Sequence, residues 1–399
     1  MEFVQFSTPL RDRTRPGAEA EAKSRLAPSD EVRDFVLAAN VAAQDATQDP
    51  AASAAPERVV SQLAGSSESA TYLFAMCAST PLAEVSELGY PLISSTDNPR
   101  QCGLRGHAWP GGAPSFAGFV HLTLPLLEDT DVAEIECVLD IELLPLPGEP
   151  ASAETNEVTT KLVAEAEKIA TKLGRTRAQV TLHHAADQPA SSDPFYAAIS
   201  QRGYQKYLAH VQAYTPVTRD RSRELTAPLS PNQPYKVDTW LDYGIPETYA
   251  SQVRSLLTIA STDVPSGGLE LAPIEWTPTR MEQAAQRLRA RGGTTLLAAL
   301  IDQHSDEICA LTEVARHLGS DPAVAEWTLT VTARHYRNRG LASGLKALAL
   351  HAVREHWPTV ERVYGSIPEQ PGYMRAIYHD LAASELSCSS TWEKPLARC

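Results

Sequence analysis

The hydrophobic periods of this chain run through one order and then begin it again, and that doubling constrains the fold more than any single motif. Before residue 215, strand-like runs at Glu2–Ser7, Thr71–Cys77, Phe116–Leu124, Ile135–Leu143, Gln179–His183 and Tyr204–Tyr214 alternate with helical periods. The helical periods begin after Ser29 and run across Val158–Leu173 and Pro194–Arg202. Thr215–Gln233 then carries Pro216, Pro228 and Pro231, mixed charge and no apolar period, which reads as a linker. From Tyr235 the order restarts. It gives a strand to Leu241, helices from Pro246 and over Thr279–Arg291, and a hairpin of Thr294–Ile301 with Ile308–Ala315. A strand at Trp327–Thr332, a helix at Leu341–Glu355, a strand at Val360–Ile367, a helix at Gly372–Leu381 and a strand at Leu386–Trp392 complete it. Both halves read roughly as β-α-β-β-β-α-β-α-β, the second with one extra helix over Thr279–Arg291. No residue-level repeat accompanies this, so the duplication rests on order alone. The expected division is a domain over 1–214, a linker over 215–233 and a domain over 234–399.

A chain of 399 residues is long for one core, which agrees with two domains. Its formal net charge of -14, from 49 acids against 35 bases, opposes nucleic acid and anionic membranes and favours cationic partners. No apolar run is long enough to cross a bilayer, and Met1–Phe6 lacks the basic start of a secretory signal. The six cysteines show no Cys-x-x-Cys spacing, so reduced thiols in the cytoplasm are expected, without a zinc site or other metal. His183 and His184 are adjacent in a strand, where their side chains point to opposite faces and do not share a metal.

The chemistry concentrates between Trp327 and Lys346. A strand feeds a turn, Arg337-x-x-Gly340-x-Ala342, and the turn feeds a helix. Small residues let the backbone approach a ligand, and a helix start presents N–H groups and a partial positive charge. Arg334, Arg337, Arg339 and Lys346 fall in a span with no acid between Glu326 and Glu355. Basic residues at a helix start oppose the dipole, so a capped surface helix explains them poorly, and an anion site explains them well.

Arg337-Asn338-Arg339-Gly340-Leu341-Ala342 resembles the pyrophosphate loop, (Gln/Arg)-x-x-Gly-x-(Gly/Ala), of the GNAT superfamily of acyl-CoA N-acyltransferases. The C-terminal half follows that family's order of elements. The resemblance implies two tandem GNAT-like domains of α/β (α+β) class, each a mixed, mostly antiparallel sheet flanked by helices. It implies acetyl-CoA as acyl donor, with Leu329, Thr330 and Val331 pairing with the pantetheine arm like an added strand. Arg337, Asn338, Arg339, Gly340, Leu341 and Ala342 would hold the pyrophosphate.

Met374–Ala383 resembles the ending of the family's last helix, and Tyr378 falls where many members place the tyrosine that protonates the departing thiolate. Ala382-Ala383 stand where the family has Gly-Phe, and Pro371 where it often has Asn. An amine with pKa near 10.4 must lose a proton before it attacks a thioester, so a base is needed. Glu313 and Glu326 are the candidates, directly or through water, with Glu313 preferred for its Leu311–Val314 setting. In the N-terminal half the corresponding stretch, Pro145–Glu157, carries Glu149, Glu154 and Glu157 where the other half has arginines, which would repel a pyrophosphate. Phe195-Tyr196 and Arg202-Gly203-Tyr204 still resemble the family's final helix and Gly-Phe turn, so this half resembles a degenerate GNAT domain. The expected activity is acetyl transfer from acetyl-CoA to a small, cationic amine by direct attack on the thioester. The alternatives are a CoA-binding pseudoenzyme acting as sensor or scaffold, and a protein or peptide N-acetyltransferase. A monomer or homodimer is expected.

Overall fold

The computed structural model of the protein describes residues 1–10, 26–217 and 234–397, apart from 111, 113, 147, 291, 318 and 371. Most of the expected linker, 218–233, and Pro371 therefore lie outside the described residues. The chain divides into two compact units: Met1–Leu208 with Ser387–Cys399, and Ala209–Leu386.

The first half supplies β1 (Glu2–Phe6), α1 (Asp30–Thr47), α2 (Pro56–Leu63), β2 (Ser69–Cys77), β3 (Leu92–Ile93), β4 (Phe116–Pro125), β5 (Val132–Leu139), α3 (Ala153–Lys172), β6 (Arg177–Ala185), α4 (Tyr196–Gln201) and β7 (Gln205–Pro216). The second half supplies β8 (Tyr235–Leu241), α5 (Glu247–Asp263), α6 (Pro278–Ala290), β9 (Thr294–Asp302), β10 (Glu307–Arg316), β11 (Val324–Thr332), α7 (Leu341–His356), β12 (Arg362–Pro368), α8 (Tyr373–Asp380) and β13 (Ser384–Pro395).

In the first unit the strands run in the order β3-β1-β2-β4-β5-β6-β13, antiparallel except for β3 with β1 and β5 with β6. Side chains alternate along β4 and feed two cores. Val120, Leu122 and Leu124 join Leu162 and Ala166 of α3, while Phe119 joins Phe35 of α1 and Val59 and Val60 of α2. Fully burying each such side chain stabilises by about 1.5–3 kcal/mol, so both faces need helices. In the second unit the order is β7-β12-β11-β10-β9-β8, parallel only for β12 with β11. There α7 buries Leu341, Leu345, Ala349 and Val353, one helical stripe, against β9 and β10. The face of β10 and β11 that α5 covers takes Val253, Leu256 and Leu257.

The expected cut between contiguous halves does not describe these units. His210–Pro216 of β7 pairs with β12 in the second unit, and Ser387–Pro395 of β13 pairs with β6 in the first. Charge pins β13 there. Lys394 and Arg202 both donate to the nearly buried Glu167 of α3, and Glu393 accepts from Gln179 and Arg177 of β6. Local periodicity locates a strand but carries no information about its partner, which is why the exchange is invisible in sequence.

The units also share a register. The parallel ladder of the first runs through Val132-Ala133-Glu134 against Arg177-Ala178-Gln179. That of the second runs through Val324-Ala325-Glu326 against Arg362-Val363-Tyr364. Both ladders carry Val-Ala-Glu on one strand, a match too short to stand out before the ladders align it.

Candidate active site

The site is built where a parallel pair comes apart. Strands β11 and β12 pair from Val324 to Glu326 and then diverge, so Trp327–Thr332 keeps β10 on one side and has no ladder to β12 on the other. Leu329, Thr330 and Val331 lie on this opened stretch. The Leu329 carbonyl accepts from Thr312 and Thr330 and the Thr332 carbonyl from Arg337, and the other backbone groups on the open side can pair with water or with an added strand-like ligand. A bulge reinforces the opening: Glu313 faces Leu329 and Val314 faces Trp327, leaving Thr328 as the extra residue.

Beyond β11 the chain makes a 3-10 turn at Arg334–Tyr336 and enters α7 through Gly340, which caps the helix in the left-handed region at φ 72°. Asn338 is also left-handed, at φ 62°. Such conformations turn successive N–H groups toward one concavity. No side chain caps α7, no acid stands in its first turn, and its N–H groups remain available to an anion. Arg339 donates to the His335 carbonyl at 3.0 Å and lies over the Tyr336 ring.

Two expectations for the basic span need correction. It is free of acids in sequence but not in space, because Asp263, at the end of α5, accepts from Arg334 at 2.7 and 3.1 Å and from Arg337. The two guanidiniums hold its carboxyl well below the usual carboxylate range. An acid at a helix C-terminus is disfavoured by the dipole, so its stability there depends on these arginines. Asp263→Asn should therefore tighten binding of inorganic pyrophosphate at the loop about three- to tenfold by calorimetry, the weight of a competing charge-assisted contact. Unchanged or weaker binding would mean that the carboxylate shapes the loop rather than competing for it. The second correction is Lys346, which lies outside the anion site. Only 1% of its surface is exposed, and its Nζ stands 3.7 Å from the Trp327 ring centroid.

Tyr378 is buried on α8 and set into the gap between β11 and β12 by Gly365 of β12, the first residue past the parallel ladder. A Cβ at Gly365 would fall 2.2 Å from the Tyr378 hydroxyl, so no other residue fits there with Tyr378 in place. Burial pushes the phenol well above its ordinary value of 10.0. After α8, Ala382 makes a left-handed turn (φ 54°), and Ala383 N–H donates to the Tyr378 carbonyl. An alanine there costs about 1 kcal/mol, which this chain tolerates to hold the helix end.

Glu313 is buried on β10. Thr328, the bulge residue, donates to its Oε1 at 2.8 Å, and Tyr243 donates to the same oxygen at 3.3 Å. Its Oε2 has no hydrogen bond among the described residues. Burial raises its pKa above 4.5 despite both donors. Tyr243 reaches it from a turn in which Asp242 and Tyr243 both have positive φ, 50° and 62°, and in which Asp242 is tied to Thr294 and Thr295. Left-handed non-glycine residues are strained and collect at functional sites. Glu326, the other candidate base, sits within the parallel ladder, half-exposed, with His317 at 3.9 Å. Trp327 and Thr328 alternate across β11, so Glu313 and Tyr378 address the opening from opposite faces and share no hydrogen-bond partner.

The shared register shows what the first unit has in the same places. The cross-strand position of Glu313 and Thr328 holds His121 and Glu136, paired at 2.8 Å. The residue whose carbonyl accepts from the turn after α4 is Ile199, where the second unit has Tyr378. Helix α3 is capped by its own Ser152, which accepts from Thr155 N–H at 3.0 Å, and Glu154 satisfies its first turn. That end is closed to an anion. Among the described residues no group of three or more His, Cys, Asp or Glu could hold a metal ion, and no helix is long and apolar enough to cross a membrane.

Sequence reasoning singled out Leu329–Val331, the Arg337–Ala342 loop, Tyr378 and Glu313, and all of them lie in the second unit. It missed Asp263, Tyr243 and Gly365, and gave Lys346 the wrong surroundings. Only the Asp242-Tyr243-Gly244 turn left a trace, as a break between strand and helix.

No protein-family model matches the chain, and no curated protein matches it by sequence. Solved structures do. A tandem GNAT protein from the clavulanic acid biosynthesis pathway, solved without AcCoA, is similar over 99% of this chain and 98% of its own, with a TM-score of 0.62 at 19% identity. A GCN5-related N-acetyltransferase from Sphaerobacter thermophilus is similar over 99% of this chain and 96% of its own, with a TM-score of 0.54 at 14% identity. The fold is that of a tandem GNAT protein, with both domain-sized units present.

Proposed function

We propose that the protein is an acetyl-CoA-dependent N-acetyltransferase acting on a small, cationic amine. The observation that carries this reading is one arrangement: an uncapped, arginine-flanked helix start beside an opened strand pair with a buried tyrosine in the opening. The residues fit the donor. Trp327 Nε1 is buried on the opened stretch without a hydrogen-bond partner among the described residues, and a pantetheine arm brings amide oxygens to such donors. Backbone groups of Leu329, Thr330 and Val331 would pair with that arm. Arg337 to Ala342 would hold the pyrophosphate. When bound, acetyl-CoA supplies an acyl group activated as a thioester.

The chain's own groups then handle protons. Glu313, through its free Oε2, accepts a proton from the amine, whose ordinary pKa near 10.4 leaves it charged at neutral pH. Burial raises its pKa, which makes it a stronger base than a surface carboxylate. Tyr378 donates a proton to the departing sulfur from the opposite face. A net charge of -14 attracts cationic acceptors from solution.

Two measurements test the reading. Acetyl-CoA titrated by calorimetry should bind once per chain, since α3, the counterpart of α7 in the first unit, is capped by Ser152 and carries Glu154 in its first turn. A panel of small amines should release free thiol from acetyl-CoA. Two equivalent sites would overturn the single-donor assignment, and thiol release with no amine in the panel would overturn the enzyme.

A further inference from the structure

The buried lysine of α7 has a task that the anion site does not explain. Lys346 is enclosed by Trp327 of β11, with Nζ 3.7 Å from the ring centroid, and by Tyr378 of α8, with Nζ 4.7 Å from that centroid. It donates to the Tyr378 hydroxyl at 3.4 Å, and that is its hydrogen bond among the described residues. Helix α7 packs on β8, β9, β10, β11 and α8, and no charged side chain from any of them bears on Lys346. The titratable group that faces it is Tyr378 itself. A lysine carries charge at a cost of several kcal/mol when it loses water, and a methionine would fill the same space without it. Two aromatic faces return part of that cost.

Tyr378 has a corresponding difficulty. A thiolate holds a proton with a pKa of about 8.5, and each unit by which the phenol exceeds this makes the transfer tenfold less favourable. Burial moves the phenol in the wrong direction. A cation next to the developing phenolate reverses the balance.

We propose that Lys346 is a positioning residue for Tyr378, orienting its hydroxyl and replacing the proton it gives up. The inference rests on the assignment of Tyr378 as the acid. Because the lysine donates to the phenol oxygen, the phenolic hydrogen is left for another acceptor. The Tyr378 O–H bond breaks as the proton passes to the thiolate sulfur, forming a thiol and a phenolate. A Lys346 N–H bond then breaks as its proton passes to the phenolate, restoring Tyr378 and leaving a neutral amine. Water returns a proton to that amine before the next cycle. Burial pulls the lysine well below its ordinary value of 10.5. The group acts when protonated, so turnover falls as pH rises through this lowered pKa.

The experiment joins an equilibrium measurement to kinetics. In protein labelled with [ε-13C]lysine, one NMR signal should titrate well below the others, vanish in Lys346→Met and shift in Tyr378→Phe. A signal that titrates with the bulk lysines, or that Tyr378→Phe leaves unmoved, overturns the proposal. Turnover is read with acetyl-CoA and hydroxylamine, a nucleophile largely unprotonated at neutral pH, so that the base is bypassed. Lys346→Met and Lys346→Gln should each lose about tenfold in kcat, with the KM for acetyl-CoA nearly constant, and should lose the alkaline limb. Glutamine keeps a donor but no transferable proton, so its failure to rescue separates relay from packing. Lys346→Met combined with Tyr378→Phe should be no slower than Tyr378→Phe alone. Additive losses, or an alkaline limb unchanged in Lys346→Met, overturn the relay. Wild-type turnover in Tyr378→Phe overturns the acid assignment itself, and a slow Tyr378→Phe beside a normal Lys346→Met overturns the relay only.

Discussion

Tyr378→Phe should lower kcat by about 10²-fold or more, the usual scale for a positioned general acid. The loss should appear equally in kcat and kcat/KM, because the proton moves only in the transition state. Acetyl-CoA affinity should stay within about twofold, since the phenol is not assigned a contact in the ground state. Thermal stability should fall measurably although the ring remains, because the buried Lys346 amine loses its partner, a cost of about 1–3 kcal/mol. Single-turnover kinetics with one amine in excess isolates the chemical step from product release. Wild-type single-turnover rates would remove Tyr378 from the proton path, and water or another group would have to supply the thiol proton.

What the sequence revealed and what it withheld divide along a physical line. Leu341, Leu345, Ala349 and Val353 recur at helical spacing, so α7 is written in the residues it buries. Gly340 and the arginines around it mark the loop for the same local reason. Features made by distant segments leave no such mark. Asp263 lies 71 residues before Arg334 in the chain, and only the packing of α5 brings them together. The exchange of β7 and β13 between the units depends on strand partners, which alternation does not encode. Lys346 misleads because a lysine beside arginines reads as part of their charge, whereas the helical stripe puts it on the buried side. Counting it by periodicity rather than by charge would have placed it next to Leu345 in the core. Gly365 looks like any glycine in a strand until Tyr378 is built against it.

Glu313→Gln should cost roughly 10²- to 10⁴-fold in kcat/KM for a primary amine at neutral pH, the range for loss of a general base. The substitution keeps the shape of the side chain and an oxygen for Thr328 and Tyr243, so folding and donor binding should hold. The pH profile carries the sharper test. In the wild type the base must be ionised, so the rate should rise with pH through a pKa that burial has lifted above 4.5. In Glu313→Gln that acid limb should vanish, and the remaining rate should climb with the free-amine fraction toward pH of about 10. Hydroxylamine, which needs little deprotonation at neutral pH, should be spared most of the loss. The contrast between acceptors separates a base from a residue that only shapes the pocket, since a misshapen pocket would slow both nucleophiles. If both fall alike, Glu313 is structural, and Glu326 in the parallel ladder or a water becomes the route for the proton.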